Sequence, residues 1–203
     1  MRGEVIVVDD DSPDGTGDVA RELGNAYPVR VLTRRGERGL ATAVLAGFGA
    51  SDAPVVVVMD ADGSHPIERL DDLIRPVLDD AADVVVGSRR IPGGTAEHWP
   101  WYRRLVSRVA GLLSQGLTDL SDPTSGFMAV RRALLAELDL DPVGWKIVLE
   151  VAFKARGARL REVPIEFSDR RLGKSKLDWT VQADFLRHLI RLHRFRARQR
   201  RVR

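Results

Sequence analysis

The sequence predicts an α/β fold built on a mainly parallel sheet with helices on both faces. Short runs rich in β-branched residues alternate with segments of helical period, and this alternation favours strands that run in one direction. A second observation is that two of the runs end in acidic residues, as is typical at the ligand-binding edge of such sheets. The candidate strands are 4–9, 29–33, 54–60 and 83–88, and the candidate helices between them are 16–25, 38–50 and 66–80.

The pattern changes after residue 92. The stretch 101–116 has the period of an amphipathic helix, and "TSGFMAV" and "RLREVPIEF" have the composition of further strands. A long helix is expected from about Leu177 to the arginine-rich end. We therefore expect one α/β domain over 1–177, followed by an amphipathic helix and basic tail over 178–203.

Composition excludes several classes of protein. The chain has 203 residues, 44% of them hydrophobic and 30% charged, which suits one globular domain. It has no cysteine, so disulfides, thiolate zinc sites and cysteine nucleophiles are excluded. No apolar stretch approaches the ~20 residues of a spanning helix, and a cytosolic location is expected.

Positive charge is concentrated at the end of the chain. Residues 187–203 hold eight arginines and no acid, whereas the whole chain has a net charge of +3, so residues 1–186 carry −5. Such a tail is typical of contact with nucleic acid or with an anionic membrane surface.

The helix that precedes this tail has an apolar stripe. Phe185, Leu189 and Leu192 share one face, flanked by Leu186 and Ile190. A basic amphipathic helix of this kind is expected to lie in the interfacial plane of a membrane. The alternative is a helix docked on its own domain with a solvated tail.

The first acidic segment lies in "VIVVDDDSPDGT". Asp9, Asp10 and Asp11 follow a buried strand, where three like charges repel one another unless a cation or hydrogen-bond donors meet them. A turn with Ser12 or Asp14 as a helix cap is the structural alternative. Three consecutive acids favour a ligand site.

The second acidic segment follows the apolar run that ends at Met59. Residues i and i+2 of an extended chain point the same way, so Asp60 and Asp62 are expected to present both carboxylates to one point. A hard divalent ion such as Mg²⁺ or Mn²⁺, shared with substrate phosphates, would relieve their repulsion. The alternative is a solvated turn at Gly63.

Cationic partners are encoded elsewhere in the chain. Arg89 follows the strand 83–88, and Arg103 and Ser107 share a helix face. "DRRLGKSKL" adds Arg170 and Lys176. Each alone is expected to be a solvated surface charge, but together they suit a pyrophosphate and a second phosphate.

Other ligand-binding and catalytic motifs are missing from the sequence. "RRGERGLATA" does not have the Gly-Lys-Ser/Thr ending of a P-loop, and no G-x-G-x-x-G follows the first strand. No G-x-S-x-G elbow and no zinc-binding spacing is present.

Six segments of the sequence form an ordered series: "VVDDDSPDGT", "MDADGSHP", "VVGSR", "RRLVS", "SDPTSGF" and "EVPIEFSDRRLGKSKL". In their order and rough spacing they resemble polyprenol (dolichyl) phosphate mannose synthases, which are inverting family 2 glycosyltransferases of GT-A fold. The resemblance extends from Glu4 to about Leu177. "FSDRRLGKSKL" together with "DPTSGF" is its most specific part.

The resemblance implies a donor site. Val8 and Asp10 would contact the base and ribose of the nucleotide. Asp60, Ala61 and Asp62 would lie along the diphosphate.

It also implies a Mg²⁺ or Mn²⁺ site. Asp62 would be the main ligand, with Asp60 beside it. Ser64 stands where the family often places a metal-contacting glutamine, so water is an alternative third ligand.

The resemblance also implies roles for the cationic residues. Arg89 would face the sugar and phosphate groups, and Arg103 with Ser107 would hold the acceptor phosphate. Arg170 and Lys176 would close over the donor from a loop.

The implied reaction moves mannose from GDP-mannose to a polyprenyl monophosphate. An acceptor phosphate is already anionic, so it can attack the anomeric carbon without a protein base, and single displacement inverts that centre. A UDP-glucose-dependent polyprenyl-phosphate glucosyltransferase is the alternative within the class. The implied location is peripheral, on the cytoplasmic face of a membrane, and nucleic acid is not an expected partner.

The sequence departs from the family pattern at its start. Family members begin with a strand that ends in a Pro-x-Tyr-Asn-Glu-like motif of the base pocket, and this sequence has none. We therefore expect poor donor binding and self-association of the chain as given. A non-catalytic, membrane-associated degenerate transferase is the corresponding alternative.

Overall fold

The computed structural model describes residues 3–96, 101–114, 116–141, 146–168 and 179–201. Within its helices, the side chains of 102–104, 106, 179–184 and 197–201 are outside this description. The chain forms two compact units, Met1–Ala53 and Pro54–Arg203. Each unit is described by itself.

The first unit is a two-stranded parallel sheet with two helices. Its elements are β1 (Val5–Asp9), α1 (Thr16–Leu23), β2 (Val29–Thr33) and α2 (Leu40–Ala50). Val5 lies opposite Val29 and Asp9 opposite Thr33. Helix α2 packs closely on β1, because a Cβ built on Gly47 would lie 3.3 Å from Cγ2 of Val8.

The second unit is built on a four-stranded sheet. Its elements are β3 (Val55–Val58), a 3₁₀ turn (Ile67–Arg69), α3 (Leu70–Leu78), β4 (Val84–Ser88), α4 (Trp101–Ser114), β5 (Met128–Arg131), α5 (Arg132–Glu137), α6 (Ile147–Lys154), β6 (Leu160–Pro164) and α7 (Trp179–Arg201). The strand order is β3-β5-β4-β6, and β4 runs parallel to β6. Strand β5 runs antiparallel to both of its neighbours, so the other three strands share one direction.

The core of the second unit lies on both faces of β4. Leu73 and Val77 of α3 pack with Val85 on one face. On the other face, Val84 and Val86 are also fully buried. The mixed α/β structure confirms the predicted fold class, with one antiparallel strand that the sequence did not indicate.

Helix α7 is docked on the second unit. Its apolar stripe packs against three side chains of the preceding chain, and the cluster comprises Phe185, Leu189, Leu192, Leu117, Leu149 and Phe153. The structure therefore agrees with the alternative interpretation of this segment, in which the helix docks on its own domain and its stripe does not lie on a membrane. The neighbouring Leu186 and Ile190 are half-exposed.

Several predicted boundaries need correction. The strand predicted over 54–60 ends at Val58, and the helix predicted over 66–80 is a 3₁₀ turn followed by α3. Helices α5 and α6 were missed. None of the described helices is long and apolar enough to cross a membrane.

Candidate active site

The acidic turn, residues 60–65, connects β3 to the 3₁₀ turn. Ser64 is buried, and both its backbone N–H and its hydroxyl donate to Oδ1 of Asp62. Gly63 takes a φ of 74°, which turns the chain back on itself. The sequence analysis placed Asp60 and Asp62 on one side of an extended strand. The structure instead has a turn at these residues, and the hydrogen bonds of that turn position Asp62.

The buried His65 supports this turn through a hydrogen bond. Nδ1 of His65 accepts a hydrogen bond of 3.1 Å from the backbone N–H of Asp60. The imidazole stacks on Phe127 at 5.0 Å and meets Phe167 edge-on at 5.3 Å. Burial lowers the pKa of His65 to about 4, with the charge of Arg89 acting in the same direction. His65 is therefore a neutral acceptor at pH 7.

The loop 122–126 packs against the acidic turn at a glycine. A Cβ on Gly126 would lie 3.3 Å from Cε1 of His65 and 3.4 Å from Oδ2 of Asp60. A side chain here would press on both groups, so Gly126 lets the loop approach the carboxylate of Asp60.

The same loop holds Arg89. Nε and Nη2 of Arg89 donate to the two oxygens of Asp122 at 2.6 and 2.8 Å, and its backbone N–H donates to the same carboxylate. The guanidinium also donates to Thr124 and lies 5.3 Å from the centre of the Phe167 ring. Burial alone would raise the pKa of Asp122, but the charge of Arg89 holds it well below its ordinary value. Arg89 is thus part of a buried ion pair, and not the solvated charge expected of it alone.

Arg90 is a second arginine of this site, and the sequence analysis did not single it out. Its Nε lies 3.9 Å from Asp122, and Nη1 donates to the carbonyl of Ser121. Nη2 donates to Oγ of Ser107 at 2.8 Å and to the Ser107 carbonyl. Gly111, one turn further along α4, leaves the space that this guanidinium fills. Ser107 is thereby linked to the Asp122 network.

Lys146 is a third cation at the same loop, and it was also missed. It immediately precedes α6, and its amino group donates to the Thr124 carbonyl at 3.1 Å. Burial lowers the pKa of Lys146 to about 8, and the charges of Asp122 and Asp60 act in the opposite direction. The quoted motif "DPTSGF" was the available signal for this network, since its aspartate and threonine hold all three cations.

Three of the expected site residues lie beyond this description. The side chain of Arg103 on α4 is outside it, and so are Arg170 and Lys176. The described chain reaches Ser168, whose backbone N–H donates to the Ser64 carbonyl at 3.2 Å. At Ser168 the described chain therefore lies beside the acidic turn.

The first acidic segment belongs to the first unit. Arg34 donates from Nε to Oδ1 of Asp10 at 2.7 Å, and the Gly39 N–H donates to Oδ2 at 2.9 Å. Asp9 is buried and accepts from the Ser12 N–H. Asp11 is exposed, with a φ of 58°.

The other residues expected here have structural contacts. Val8 packs against α2 at Gly47, and the carboxylate of Asp14 accepts from the N–H of Thr16 at the start of α1. The contact of Val8 with a nucleotide remains a prediction. The alternative of Ser12 or Asp14 as the helix cap was wrong, because the N-cap of α1 is Gly15, although Asp14 does bond the first residue of the helix.

The acidic turn has the chemistry of a shared metal site. Among the described residues, no group of three histidine, cysteine or acidic side chains lies close enough to hold a metal ion. The turn contains Asp60, the exposed residue Ala61, and Asp62. The hydroxyl of Ser64 fixes the orientation of the Asp62 carboxylate. Mg²⁺ and Mn²⁺ accept one or two carboxylates when substrate phosphates and waters complete their shell, and these residues fit that pattern.

Comparison with known proteins agrees with these features. Residues 2–139 match the family model described as glycosyl transferase family 2. The chain belongs to glycosyl transferase family 2. This is the family that the sequence motifs predicted.

Two curated relatives of this family 2 chain are named for lipid-phosphate mannosyl transfer. A dolichol-phosphate mannosyltransferase of Pyrococcus furiosus is 42% identical over 193 residues, which cover 93% of this chain and 54% of that protein. A polyprenol monophosphomannose synthase of Mycolicibacterium smegmatis is 43% identical, over 85% of this chain and 69% of that protein. The chain thus spans about half of the first relative and two thirds of the second.

A solved structure shares the fold. A mannosyltransferase of Pyrobaculum calidifontis, in complex with GDP-Man and Mn²⁺, superposes with a TM-score of 0.62 at 20% identity, covering 93% of this chain and 55% of that one. The predictions of family and of fold are confirmed.

Proposed function

We propose that this chain transfers mannose from GDP-mannose to the phosphate of a polyprenyl monophosphate, with inversion at the anomeric carbon. The observation that carries the proposal is the gathering of Arg89, Arg90 and Lys146 around the loop 122–126, which also packs against Asp60. A site with both acidic and cationic groups suits two phosphorylated reactants. The names of the two relatives support the choice of mannose and of a lipid phosphate.

The reaction needs alignment and charge stabilisation more than proton transfer. An oxygen of the acceptor phosphate attacks C1 of mannose, the bond from C1 to the diphosphate oxygen breaks, and GDP departs with that electron pair. The attacking group is already an anion at neutral pH, so no protein base is required. The chain contributes by holding two anions together and by offsetting the charge on the departing diphosphate.

A divalent ion is part of the proposal. Asp62, with Asp60 beside it, would hold Mg²⁺ or Mn²⁺, and Ser64 fixes the carboxylate of Asp62 for that role. When bound, the ion would neutralise charge on the donor diphosphate. The solved Pyrobaculum structure contains Mn²⁺ together with its GDP-Man.

The remaining site residues complete this assignment. Val8 and Asp10 would contact the nucleotide, and Arg103 and Ser107 would hold the acceptor phosphate. Arg170 and Lys176 would close over the donor. Ser107 is supported in that role by its hydrogen bond from Arg90, which brings a second cation to the same face of α4.

A donor screen tests the function. The protein is incubated with Mn²⁺, a short polyprenyl phosphate and either GDP-mannose or UDP-glucose, and glycolipid is measured. We expect transfer from GDP-mannose. Transfer from UDP-glucose alone would establish the glucosyltransferase. Calorimetry showing no binding of either nucleotide sugar would establish the degenerate, non-catalytic alternative.

We further propose that α4 meets the surface of an anionic membrane, where the lipid acceptor resides, on the cytoplasmic face. Trp101, Leu105 and Leu112 share one face of α4, with Val109 beside them, and all are substantially exposed. Arg108 on the same helix is exposed as well. An apolar stripe with nearby positive charge is typical of interfacial helices.

Vesicle co-sedimentation tests this surface. Replacing Leu105 and Leu112 by serine is expected to reduce binding to phosphatidylglycerol vesicles several-fold, because both side chains lose apolar contact with the bilayer. The change Tyr27→Ser removes an exposed apolar side chain from the first unit and serves as the control. Removal of 197–203 and high salt are expected to weaken binding too. Unaltered binding in all three cases would reject the proposal, and tight binding of duplex DNA would favour a nucleic acid partner.

A further inference from the structure

Lys146 belongs to the cationic cluster that supports the proposed function, but no specific contact has been assigned to it above. Its amino group donates to the carbonyl of Thr124, whose hydroxyl connects Arg89 to Asp122. The charges of Asp60 and Asp122 act on it, as do those of Arg89 and Arg90. Lys146 thus lies within electrostatic reach of both the acidic turn and the paired arginines.

The carboxylate at the centre of this network is bound by arginine and not by Lys146. Asp122 takes two hydrogen bonds from the guanidinium of Arg89 and has Arg90 at 3.9 Å. Glu162, which accepts from the N–H groups of Ser121 and Asp122, also acts on Arg90. Asp122 and Asp60 attract the charge of Lys146, but the hydrogen bond that Lys146 makes to the described chain goes to a neutral carbonyl oxygen.

The ammonium group of Lys146 is partly buried, and this has a cost for the folded chain. Removing an ammonium from water is unfavourable unless an anion replaces the lost hydration. Three N–H donors are available on a lysine, and the Thr124 carbonyl accepts one of them. An anionic ligand at this point would both offset the charge and accept the other donors.

We propose that Lys146 binds a phosphate group of a reactant and is a contact through which this site selects phosphorylated substrates. The inference rests on the proposed function, because a phosphate can come from the acceptor monophosphate or from the donor diphosphate. Both present the same chemistry to an ammonium group, and separate ligands distinguish them.

Calorimetry with two ligands tests the contact without turnover. The probes are GDP with MgCl₂ and farnesyl phosphate, and farnesol serves as the ligand without phosphate. For Lys146→Met we expect the Kd of one phosphate ligand to rise about 10- to 100-fold, the range for loss of a charged hydrogen bond. The ligand whose Kd rises identifies the source of the phosphate. Farnesol binding is expected to stay unchanged.

Matched variants separate binding from folding. Lys146→Arg keeps the charge and is expected to restore most of the affinity. Lys154→Met removes a lysine of the same helix whose amino group pairs with Glu150, and it is expected to leave both Kd values unchanged. We expect Lys146→Met to melt no lower than the wild type, because a purely structural lysine would lower the melting temperature. Lys146→Gln is the second neutral variant if the methionine variant does not fold.

The outcomes are distinct. Wild-type Kd values, within twofold, for both ligands in a folded Lys146→Met protein would overturn the role of Lys146. Wild-type protein that binds GDP but not farnesyl phosphate would reject the proposed acceptor, while the GDP measurement would still decide the role of Lys146. Wild-type protein that binds neither ligand would overturn both.

Discussion

The two acidic segments follow strands of similar composition, but their charges are met in different ways. In the first unit, Asp10 is paired with Arg34, an arginine of the same unit whose side chain is 7% exposed. In the second unit, Asp62 accepts hydrogen bonds from the N–H and O–H of Ser64. The pair with Arg34 joins residues that are far apart in the chain, whereas the hydrogen bonds from Ser64 orient the Asp62 carboxylate within its own turn.

The same sequence signal thus has two meanings. A β-branched run that ends in aspartates indicates a polar strand end in both units. The groups around those aspartates distinguish the ion pair of Asp10 from the metal ligand that we propose at Asp62. The following changes test this distinction, in order of decreasing effect.

Asp62→Asn is expected to reduce mannosyl transfer at least about 100-fold, because it removes a charged metal ligand, while the amide oxygen still accepts from Ser64. Asp11→Asn is the matched control, since Asp11 is exposed and asparagine tolerates its positive φ. Transfer assays and Mn²⁺ titration measure both. Equal activity of the two variants, or full activity in excess EDTA, would contradict the metal assignment.

Asp122→Ala is expected to lower the free energy of unfolding by about 3 to 4 kcal/mol, because it leaves the mostly buried Arg89 without its carboxylate. Urea denaturation measures this loss. A loss of under 1 kcal/mol would mean that Arg89 finds compensation elsewhere, and the contrast between the units would then be smaller than we infer.

The first unit contains no histidine, so acid sensitivity between pH 6.5 and 4 is expected to arise in the second. The pKa of folded His65 is lowered, so its contribution is complete above pH 6.5 and is lost as the pH falls towards 4. The difference between the ordinary and the folded pKa of His65 corresponds to about 3 kcal/mol in the free energy of unfolding. The pKa of His188 is lowered by burial too and acts in the same direction.

Denaturation in EDTA across this range checks the pH effect. His65→Asn keeps an acceptor for the Asp60 N–H and is expected to flatten the dependence in part. The exposed His193 provides the control His193→Gln, which is expected to retain it. An unchanged slope in His65→Asn would show that the imidazole is not the sensitive group.

Asp10→Asn is expected to cost about 1 kcal/mol of stability, because the pair with Arg34 is partly exposed and the amide oxygen still accepts hydrogen bonds. Chemical denaturation of the full chain measures it. A loss as large as that of Asp122→Ala would mean that the two ion pairs are equivalent.

Strand positions were predictable from the sequence because apolar runs are short and sharply bounded. β2 has the predicted bounds 29–33, and β4 differs from its prediction by one residue. Helix α6 was missed because seven of its eight residues are buried, so it lacks the one-sided period that marks a surface helix. The strand predicted over 54–60 was too long because the apolar run continues to Met59, whereas the strand conformation ends at Val58.

The site was predictable in its acidic half and less so in its cationic half. Asp60 and Asp62 are neighbours in sequence, and their turn is local. The partner of Arg89 is Asp122, 33 residues away, and only the fold brings them together. Lys146 escaped notice for a related reason, since it precedes the helix that the pattern did not reveal.

The antiparallel position of β5 also governs the order in which the second unit can form. β5 is synthesised after both of its neighbours, β3 and β4, yet it must enter between them. During translation, β3 and β4 therefore keep unpaired edges until residue 131 has left the ribosome, a state that invites pairing with other chains. Such pairings across long sequence separations are slow steps in folding. The loop 122–126 leads into β5, so Asp122 would reach Arg89 and Arg90 as β5 enters the sheet, and Lys146 would join this cluster later.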